Sequence, residues 1–170
     1  MNRFGLGLLA LLLLLGGCGY HFAGRGGALP DDVRKIYVEP FANRTGKPLL
    51  DTLMTSRLSE ELARMGSLRL WARPQGADAL LSGSVLEYSA RPLSYDSADD
   101  ITEYRSRMQI EAVLRLASND RVLWKGQLTR NEDYASSADR MAQRDNETEA
   151  IERLVELMAR DLYARMMDDF

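Results

Sequence analysis

One stretch of this chain, residues 107–116, alternates polar and apolar side chains over ten residues. Its odd positions are mostly polar, and its even positions hold Met108, Ile110, Ala112, Leu114 and Leu116. A two-residue period of this length is typical of a β-strand in a sheet that buries one face and exposes the other. A polar turn at residues 118–120 and a second alternating segment, residues 121–130, extend the pattern into a hairpin.

Three further segments are predicted as strands. Residues 35–39 alternate and are rich in β-branched and aromatic side chains, and residues 67–71 resemble a short strand. Residues 80–90 also resemble a strand, but their faces are ambiguous, because Leu81 and Val85 compete with Leu86 and Tyr88 for the core. An extra residue in one strand changes the sequence period in this way, so we expect a β-bulge near Val85.

Two segments have the spacing of amphipathic helices. The first follows Pro48, ends before Gly66 and carries the apolar stripe Leu50, Leu53, Met54, Leu58, Leu62 and Met65. The second begins at Asn146, with Glu149 in its first turn, and carries the stripe Ala150, Ile151, Leu154, Val155, Met158, Leu162 and Met166. The predicted fold is an α+β two-layer sandwich, with both helices packed on one face of a mostly antiparallel, mixed sheet of about four strands.

The amino terminus resembles a bacterial lipoprotein signal. A basic Arg3 precedes an apolar run that ends in Leu15, Gly16, Gly17 and Cys18, and this run is shorter than the roughly 20 residues that a spanning helix needs. In such a signal, cleavage precedes the cysteine, whose thiol and new amino group are acylated. Gly19 follows, where an aspartate would favour inner-membrane retention, so we expect an outer-membrane lipoprotein facing the periplasm. The alternative is an ordinary signal peptide followed by a chance cysteine.

This interpretation divides the chain into three parts. Residues 1–17 are the signal peptide, residues 18–30 form an acylated start and a glycine-rich flexible tether, and residues 31–170 form a single α/β domain. Cys18 is the only cysteine, so a disulfide within the chain is excluded. The formal net charge is −3 at pH 7, and this lack of basic excess argues against a nucleic-acid partner.

A long polar segment and several basic residues are the candidate interaction sites. Residues 94–101 form a predicted loop that offers Tyr95, Asp96, Asp99 and Asp100 to a protein partner. Another polar stretch, residues 131–144, is predicted to precede the last helix. The basic residues flank this loop or follow the hairpin, where they form a candidate anion-binding face: Arg91, Arg105, Arg107, Arg121 and Lys125. Glu111 is interleaved among them, so an ordinary solvated face is the alternative, and the residues alone favour it.

The sequence offers little for catalysis. His21 is the only histidine and lies three residues after Cys18, so neither a Ser-His-Asp triad nor a His/Cys metal site can be assembled. The adjacent carboxylates Asp99-Asp100 and Asp168-Asp169 lie in a predicted loop and at the chain end, where solvated charge is the simpler interpretation. We therefore expect no enzyme activity, no cofactor and no metal.

Several segments together resemble the LPS-assembly lipoprotein family LptE. They are Cys18-Gly19-Tyr20-His21-Phe22, then Val38-Glu39-Pro40-Phe41-Ala42-Asn43-Arg44-Thr45 before a leucine-rich helix, and Ala77-Asp78-Ala79-Leu80-Leu81-Ser82-Gly83 at the start of a strand. The resemblance implies two helices on a four-stranded sheet and a non-enzymatic lipoprotein. This lipoprotein would plug and help assemble the LptD β-barrel, bind lipopolysaccharide and take part in its transport to the outer leaflet. Lipoproteins of the secretion-channel and penicillin-binding-protein-activator kind share the strand–turn–helix opening and are the alternative.

Overall fold

The structure, a computed structural model, describes residues 29–30 and 32–169. The predicted signal peptide, Cys18 and nearly all of the predicted tether lie outside the described residues. Within the described part, six strands and two helices follow in order: β1 Lys35–Val38, β2 Ala42–Asn43, α1 Leu50–Met65, β3 Arg69–Leu70, β4 Ala79–Tyr95, β5 Ile101–Leu116, β6 Val122–Ala135 and α2 Arg140–Asp168.

The strands form one mixed sheet in the order β3-β1-β4-β5-β6, and β2 also pairs with β4. β1 is parallel to β3 and β4, β2 is parallel to β4, and the three long strands are antiparallel to one another. The mixed α+β sheet and the two helices are confirmed, but the expected count of about four strands is wrong. The extra strands β2 and β3 have only two residues each, which is too short to show a period.

The predicted bulge in β4 is present. Val85 lies opposite Ile110 and Glu87 lies opposite Gln109, so Leu86 is the extra residue. Before the bulge, Leu81 and Val85 point into the core; after it, Tyr88 takes the same side, where it bonds to α2. The ambiguous alternation of this segment is therefore the sequence signal of one inserted residue.

Both helices cover the same face of the sheet and run parallel to each other. Near the start of α1, Lys47 contacts Glu147 of α2, and after the end of α1, Ser67 accepts a hydrogen bond from Tyr163 at 2.8 Å. Gly66 ends α1 with φ +69°, as predicted, and its N–H donates to the Leu62 carbonyl. Apolar side chains that are almost fully buried fill the space between the layers: Leu50, Met54, Leu58, Leu62, Leu81, Ile110, Leu114, Leu154, Met158 and Leu162.

The polar stretch 131–144 is mostly regular structure rather than the predicted loop. β6 continues to Ala135, and α2 begins at Arg140, six residues before the predicted start at Asn146. Asp139 is the N-cap, and its carboxylate accepts hydrogen bonds from the N–H groups of Met141 and Ala142 at 2.8 and 2.9 Å. This part of the hairpin is held by polar pairs, such as Arg153 with Glu132 at 2.8 Å, so it lacks an apolar period.

Candidate functional site

The predicted partner loop is a short turn at the tip of the β4–β5 hairpin. Tyr95 and Ile101 still pair with each other, so only residues 96–100 lie outside the strands. The Asp96 carboxylate accepts from the N–H groups of Ala98 and Asp100 at 2.8 and 3.0 Å, and therefore shapes the turn. The predicted long loop is wrong, because the strands continue through polar residues. The turn nevertheless extends away from the core, because β4 is long: its 17 residues, at about 3.3 Å each, span roughly 55 Å.

Three of the predicted basic residues lie together on the sheet face that the helices leave uncovered, near this tip. Arg91 of β4 pairs with Arg105 of β5, and Arg107 pairs with Ser89. They line an open cleft of about 430 Å³ together with Glu87, Ser89, Pro92, Leu93 and Asn131. We call Arg91, Arg105 and Arg107 the distal basic cluster.

Only one member of the distal basic cluster is neutralised. Arg105 donates two hydrogen bonds of 2.7 Å to Asp133 of β6, and this pairing lowers the pKa of the Asp133 carboxyl. Among the described residues, neither Arg91 nor Arg107 has a carboxylate within 4 Å. The cleft therefore offers two exposed guanidinium groups with free donors, the geometry that binds phosphate or another anion.

The other two predicted basic residues lie far from this cluster. Arg107 pairs with Asn131 of β6, whereas Lys125 lies opposite Val113, six residues nearer the start of β6. Six residues of strand span about 20 Å. Arg121 precedes β6 in the turn at the opposite end of the hairpin from the tip. Arg107 and Lys125 therefore share the exposed face of the sheet, as predicted, but the pairing of β5 with β6 separates the candidate basic residues along it into two groups.

A polar cluster beneath the start of α2 was not predicted. Glu147 accepts hydrogen bonds from the Lys47 ammonium at 2.7 Å and from the Tyr88 hydroxyl at 2.9 Å, and Tyr88 also contacts the Ser106 hydroxyl at 3.0 Å. Burial alone would raise the pKa of Glu147, but these two hydrogen bonds outweigh it and lower the pKa below its usual value. Burial raises the pKa of Tyr88. The partners are 59 and 100 residues from Glu147, so no local pattern could have connected them.

Tyr134 lies near this polar cluster and is also buried. Its ring stacks on Tyr104 with centroids 5.6 Å apart, and burial raises its pKa to about 12. These contacts lie on the side of β5 and β6 that faces the helices, opposite the distal basic cluster. They therefore fix the backbone that carries Arg105 and Arg107 rather than forming a second binding site.

The residues that carry the family resemblance hold the fold together. Phe41 is buried against Gly83, where a Cβ atom would lie 2.3 Å from the ring. Asn43 and Thr45 bond to each other and to the Lys47 carbonyl before α1, at distances between 2.8 and 3.4 Å. The Asp78 carboxylate accepts from the backbone N–H groups at the start of β1, at 2.7 and 3.0 Å. The motif therefore specifies how β1, α1 and β4 meet, and it does not itself form a binding site.

Two classes of site have no counterpart in the part of the chain that the structure describes. Across residues 29–30 and 32–169, no three His, Cys, Asp or Glu side chains are grouped as a metal site. None of the helices described is both long enough and apolar enough to cross a membrane.

Similar proteins share this architecture. A Caulobacter crescentus protein regarded as a lipoprotein superposes with a TM-score of 0.57 at 22% identity, over 76% of this chain and 87% of that one. Protein CT253 from Chlamydia trachomatis gives 0.57 at 11% identity, over 79% and 95%. The rare lipoprotein B from Shewanella oneidensis gives 0.51 at 13% identity, over 78% and 93%. At these identities the similarity concerns the fold alone, and no curated protein matches the chain in sequence.

The family comparison is more specific. The model of the LptE lipopolysaccharide-assembly family matches residues 33–166, which include every strand and all but the last two residues of α2. The match therefore includes both the motif residues at Phe41 and Gly83 and the hairpin with its basic cluster. This chain belongs to the LptE family of lipopolysaccharide-assembly lipoproteins.

Proposed function

We propose that this protein is a lipid-anchored, non-enzymatic subunit of the outer-membrane machinery for lipopolysaccharide. It plugs and helps assemble an LptD-type β-barrel, and it binds lipopolysaccharide at the distal basic cluster during transport to the outer leaflet. Membership of the LptE family is the observation that carries this proposal. The anchor is the acylated Cys18, which would hold the domain on the periplasmic side of the outer membrane.

The distal basic cluster supports the lipopolysaccharide part of the proposal. Lipopolysaccharide carries phosphate groups, and the exposed guanidinium groups of Arg91 and Arg107 can each donate two hydrogen bonds to a phosphate. Pro92 and Leu93, which is 38% exposed, add an apolar rim to the same cleft. The combination suits a ligand that is both phosphorylated and amphipathic.

The hairpin supports the barrel part of the proposal. The sheet face opposite the helices is uncovered, and along β6 it carries Lys125, Gln127, Thr129 and Asn131. Such side chains can exchange hydrogen bonds with the polar inner wall of a β-barrel. The tip adds Tyr95, which is 58% exposed, and the exposed carboxylates of Asp99 and Asp100, so Tyr95, Asp99 and Asp100 remain our candidate contacts with the barrel.

Lipopolysaccharide binding can be tested with two charge-reversal variants that change the net charge equally. Arg91→Glu with Arg107→Glu alters the distal basic cluster on β4 and β5, and Arg121→Glu with Lys125→Glu alters the other end of the same sheet, about 20 Å or more away. We expect the first variant to lose tenfold or more in affinity at low salt, since a hydrogen bond to a charged group contributes about 1.5–3 kcal/mol. The matched variant should retain most of its binding. Equal losses in both variants would reduce the effect to net charge and remove the site.

The barrel can be tested by purifying the lipoprotein from native outer membranes in a mild detergent. We expect it to be recovered with one large β-barrel protein, and we expect less of that barrel when residues 96–100 are replaced by a two-residue turn. Lipopolysaccharide binding by the shortened variant should be unchanged. Recovery without a barrel, in a ring of many copies or with a periplasmic enzyme domain, would instead favour the secretion-channel or activator alternative.

A further inference from the structure

The described chain enters the domain at the end of the sheet opposite the hairpin tip. Leu29 packs against the core, and the Val33 N–H donates to the Pro30 carbonyl at 2.8 Å. Asp32 lines a shallow cavity together with Gln75, Asp78 and Ala117, which lie where β4 begins and β5 ends. We call this region the tether end.

Four basic residues and a tryptophan gather at the tether end, around the start of β1 and the short β3. Lys35 pairs with Arg69, and the Arg69 N–H donates to the Arg34 carbonyl at 2.7 Å. The Lys35 ammonium lies 4.9 Å from the centre of the Trp71 ring. Arg73 follows two residues later and lines an open cavity with Trp71. The tether-end basic surface is Arg34, Lys35, Arg69, Trp71 and Arg73.

Within the described residues, no basic side chain of this surface forms a salt bridge, and the carboxylates of Asp32 and Asp78 lie at the same end of the sheet. Arg34, Arg69 and Arg73 are exposed, and none of the four basic side chains has a carboxylate within 4 Å in the described part of the chain. The Asp78 carboxylate lies at this end, but it accepts from the backbone N–H groups of Arg34 and Lys35. The guanidinium groups therefore keep their donors free for an external anion.

Trp71 indicates what kind of anion this surface fits. Its ring is only partly buried, and its indole N–H donates to the Gln75 carbonyl at 3.1 Å, so the ring can enter an apolar layer without leaving an unpaired donor. Tryptophan is enriched at the level of lipid headgroups, and nearby Lys and Arg side chains are attracted to anionic lipids. An aromatic ring surrounded by free cations therefore matches a membrane interface better than a soluble phosphate compound.

The position of the surface leads to the same partner. Ten residues lie between Cys18 and Leu29, so even a fully extended chain of eleven residue steps spans no more than about 40 Å. The length of β4 places the hairpin tip up to about 55 Å from the start of this strand, so the tether end is the part of the domain that an anchor at Cys18 keeps nearest the bilayer. We propose that the tether-end basic surface docks on the anionic phospholipid headgroups of the leaflet that holds the anchor. This inference rests on the acylation of Cys18 in the proposed function.

Vesicle binding by the unlipidated protein tests the proposal. The chain from residue 18 onward with Cys18→Ala is suitable, because every core residue of the described part lies at Val33 or later. At low salt, we expect it to sediment with phosphatidylcholine vesicles that contain phosphatidylglycerol and not with phosphatidylcholine alone. Arg69→Gln with Arg73→Gln should weaken this binding about 25-fold, at roughly fivefold for each basic residue. Arg140→Gln with Arg144→Gln removes the same charge from exposed positions at the start of α2 and should bind normally.

Tryptophan fluorescence supplies a second measurement on the same samples. Trp124, the other tryptophan, is buried and donates to Asp169, so we expect a blue shift with anionic vesicles to come from Trp71 and to disappear in Trp71→Phe. No preference for anionic vesicles, or an equal loss in the Arg140/Arg144 variant, would overturn the proposal. Mass spectrometry of the native protein tests acylation separately. A vesicle preference without acylation would refute the proposed anchor while leaving the lipid-binding surface in place.

Discussion

Replacing Gly83 by alanine should destabilise the domain, because the glycine lies directly beneath the ring of Phe41. A Cβ atom at this position would lie 2.3 and 2.4 Å from two ring carbons and 2.8 Å from the Glu111 carbonyl oxygen. Carbon atoms in ordinary contact are about 3.5–4.0 Å apart, so the ring would have to move by more than about 1 Å. Phe41 is 3% exposed, so its ring is surrounded by other protein atoms.

The expected loss follows from this overlap. Forcing one extra carbon into a well-packed core costs about 1–3 kcal/mol, and the free energy of unfolding in urea should fall by that amount with little change in the slope of the transition. Gly46→Ala is the matched control, because nothing lies within 4 Å of its Cβ position and its φ is not in the left-handed region. That variant should raise the free energy of unfolding slightly, by about 1 kcal/mol at most.

A double-mutant cycle identifies the clash. In a Phe41→Leu background the smaller side chain relieves part of the overlap, so Gly83→Ala should cost less there by at least about 0.5 kcal/mol. If Gly83→Ala were neutral in the wild type, or cost the same in both backgrounds, the contact between Phe41 and Gly83 would not be the reason for the glycine.

Two further predictions concern stability. Glu147→Gln should lower the free energy of unfolding by about 1–2 kcal/mol at pH 7, since it removes a partly buried charge pair with Lys47. Because folding lowers the pKa of Glu147, its carboxylate stabilises the folded state above the ordinary carboxyl range, and this stabilisation is lost as the pH falls through the folded-state pKa. The difference in unfolding free energy between variant and wild type should therefore shrink in urea titrations below about pH 4. A difference that stays constant with pH would contradict this. Asp139→Ala removes the N-cap of α2 and should lower the free energy of unfolding by about 1 kcal/mol, measured by heat or urea. The control, Asp145→Ala, changes an exposed position inside the helix and should not destabilise the domain. Equal effects of the two substitutions would mean that the cap does not stabilise the helix.

The sequence was informative wherever a residue's side chain meets the core. The stripe of α1 up to Leu62, its end at Gly66, the alternation of β5 and the bulge after Val85 all follow from burying apolar side chains with a fixed period; Met65, the last predicted member of the stripe, is exposed. The bulge is the clearest example, because an apparent defect in the pattern correctly located one inserted residue.

The sequence pattern did not predict the ends of the strands and of α2 where polar contacts, rather than buried apolar side chains, stabilise the structure. The outer part of the hairpin and the start of α2 are held by pairs such as Arg105 with Asp133 and Arg153 with Glu132, which leave no apolar period. The basic residues were correctly assigned to the exposed face, but their grouping required the cross-strand register, which depends on where β6 begins to pair after the turn. Whether the distal basic cluster binds lipopolysaccharide stays a prediction.

The bulge at Leu86 also determines where β4 tolerates a change in length. If Leu86 were deleted, Val85 could still face Ile110 and Glu87 could still face Gln109, and the ladder would simply become regular. A single deletion between Glu87 and Pro92, where pairing is already regular, would instead turn the following side chains to the other side of the sheet. Alignments of related chains should therefore place a one-residue gap in this strand at Leu86, or at Leu93, which is the extra residue of a second register shift near the tip. A gap placed between Glu87 and Arg91 would assign Arg91 to the helix side, away from the cleft it lines.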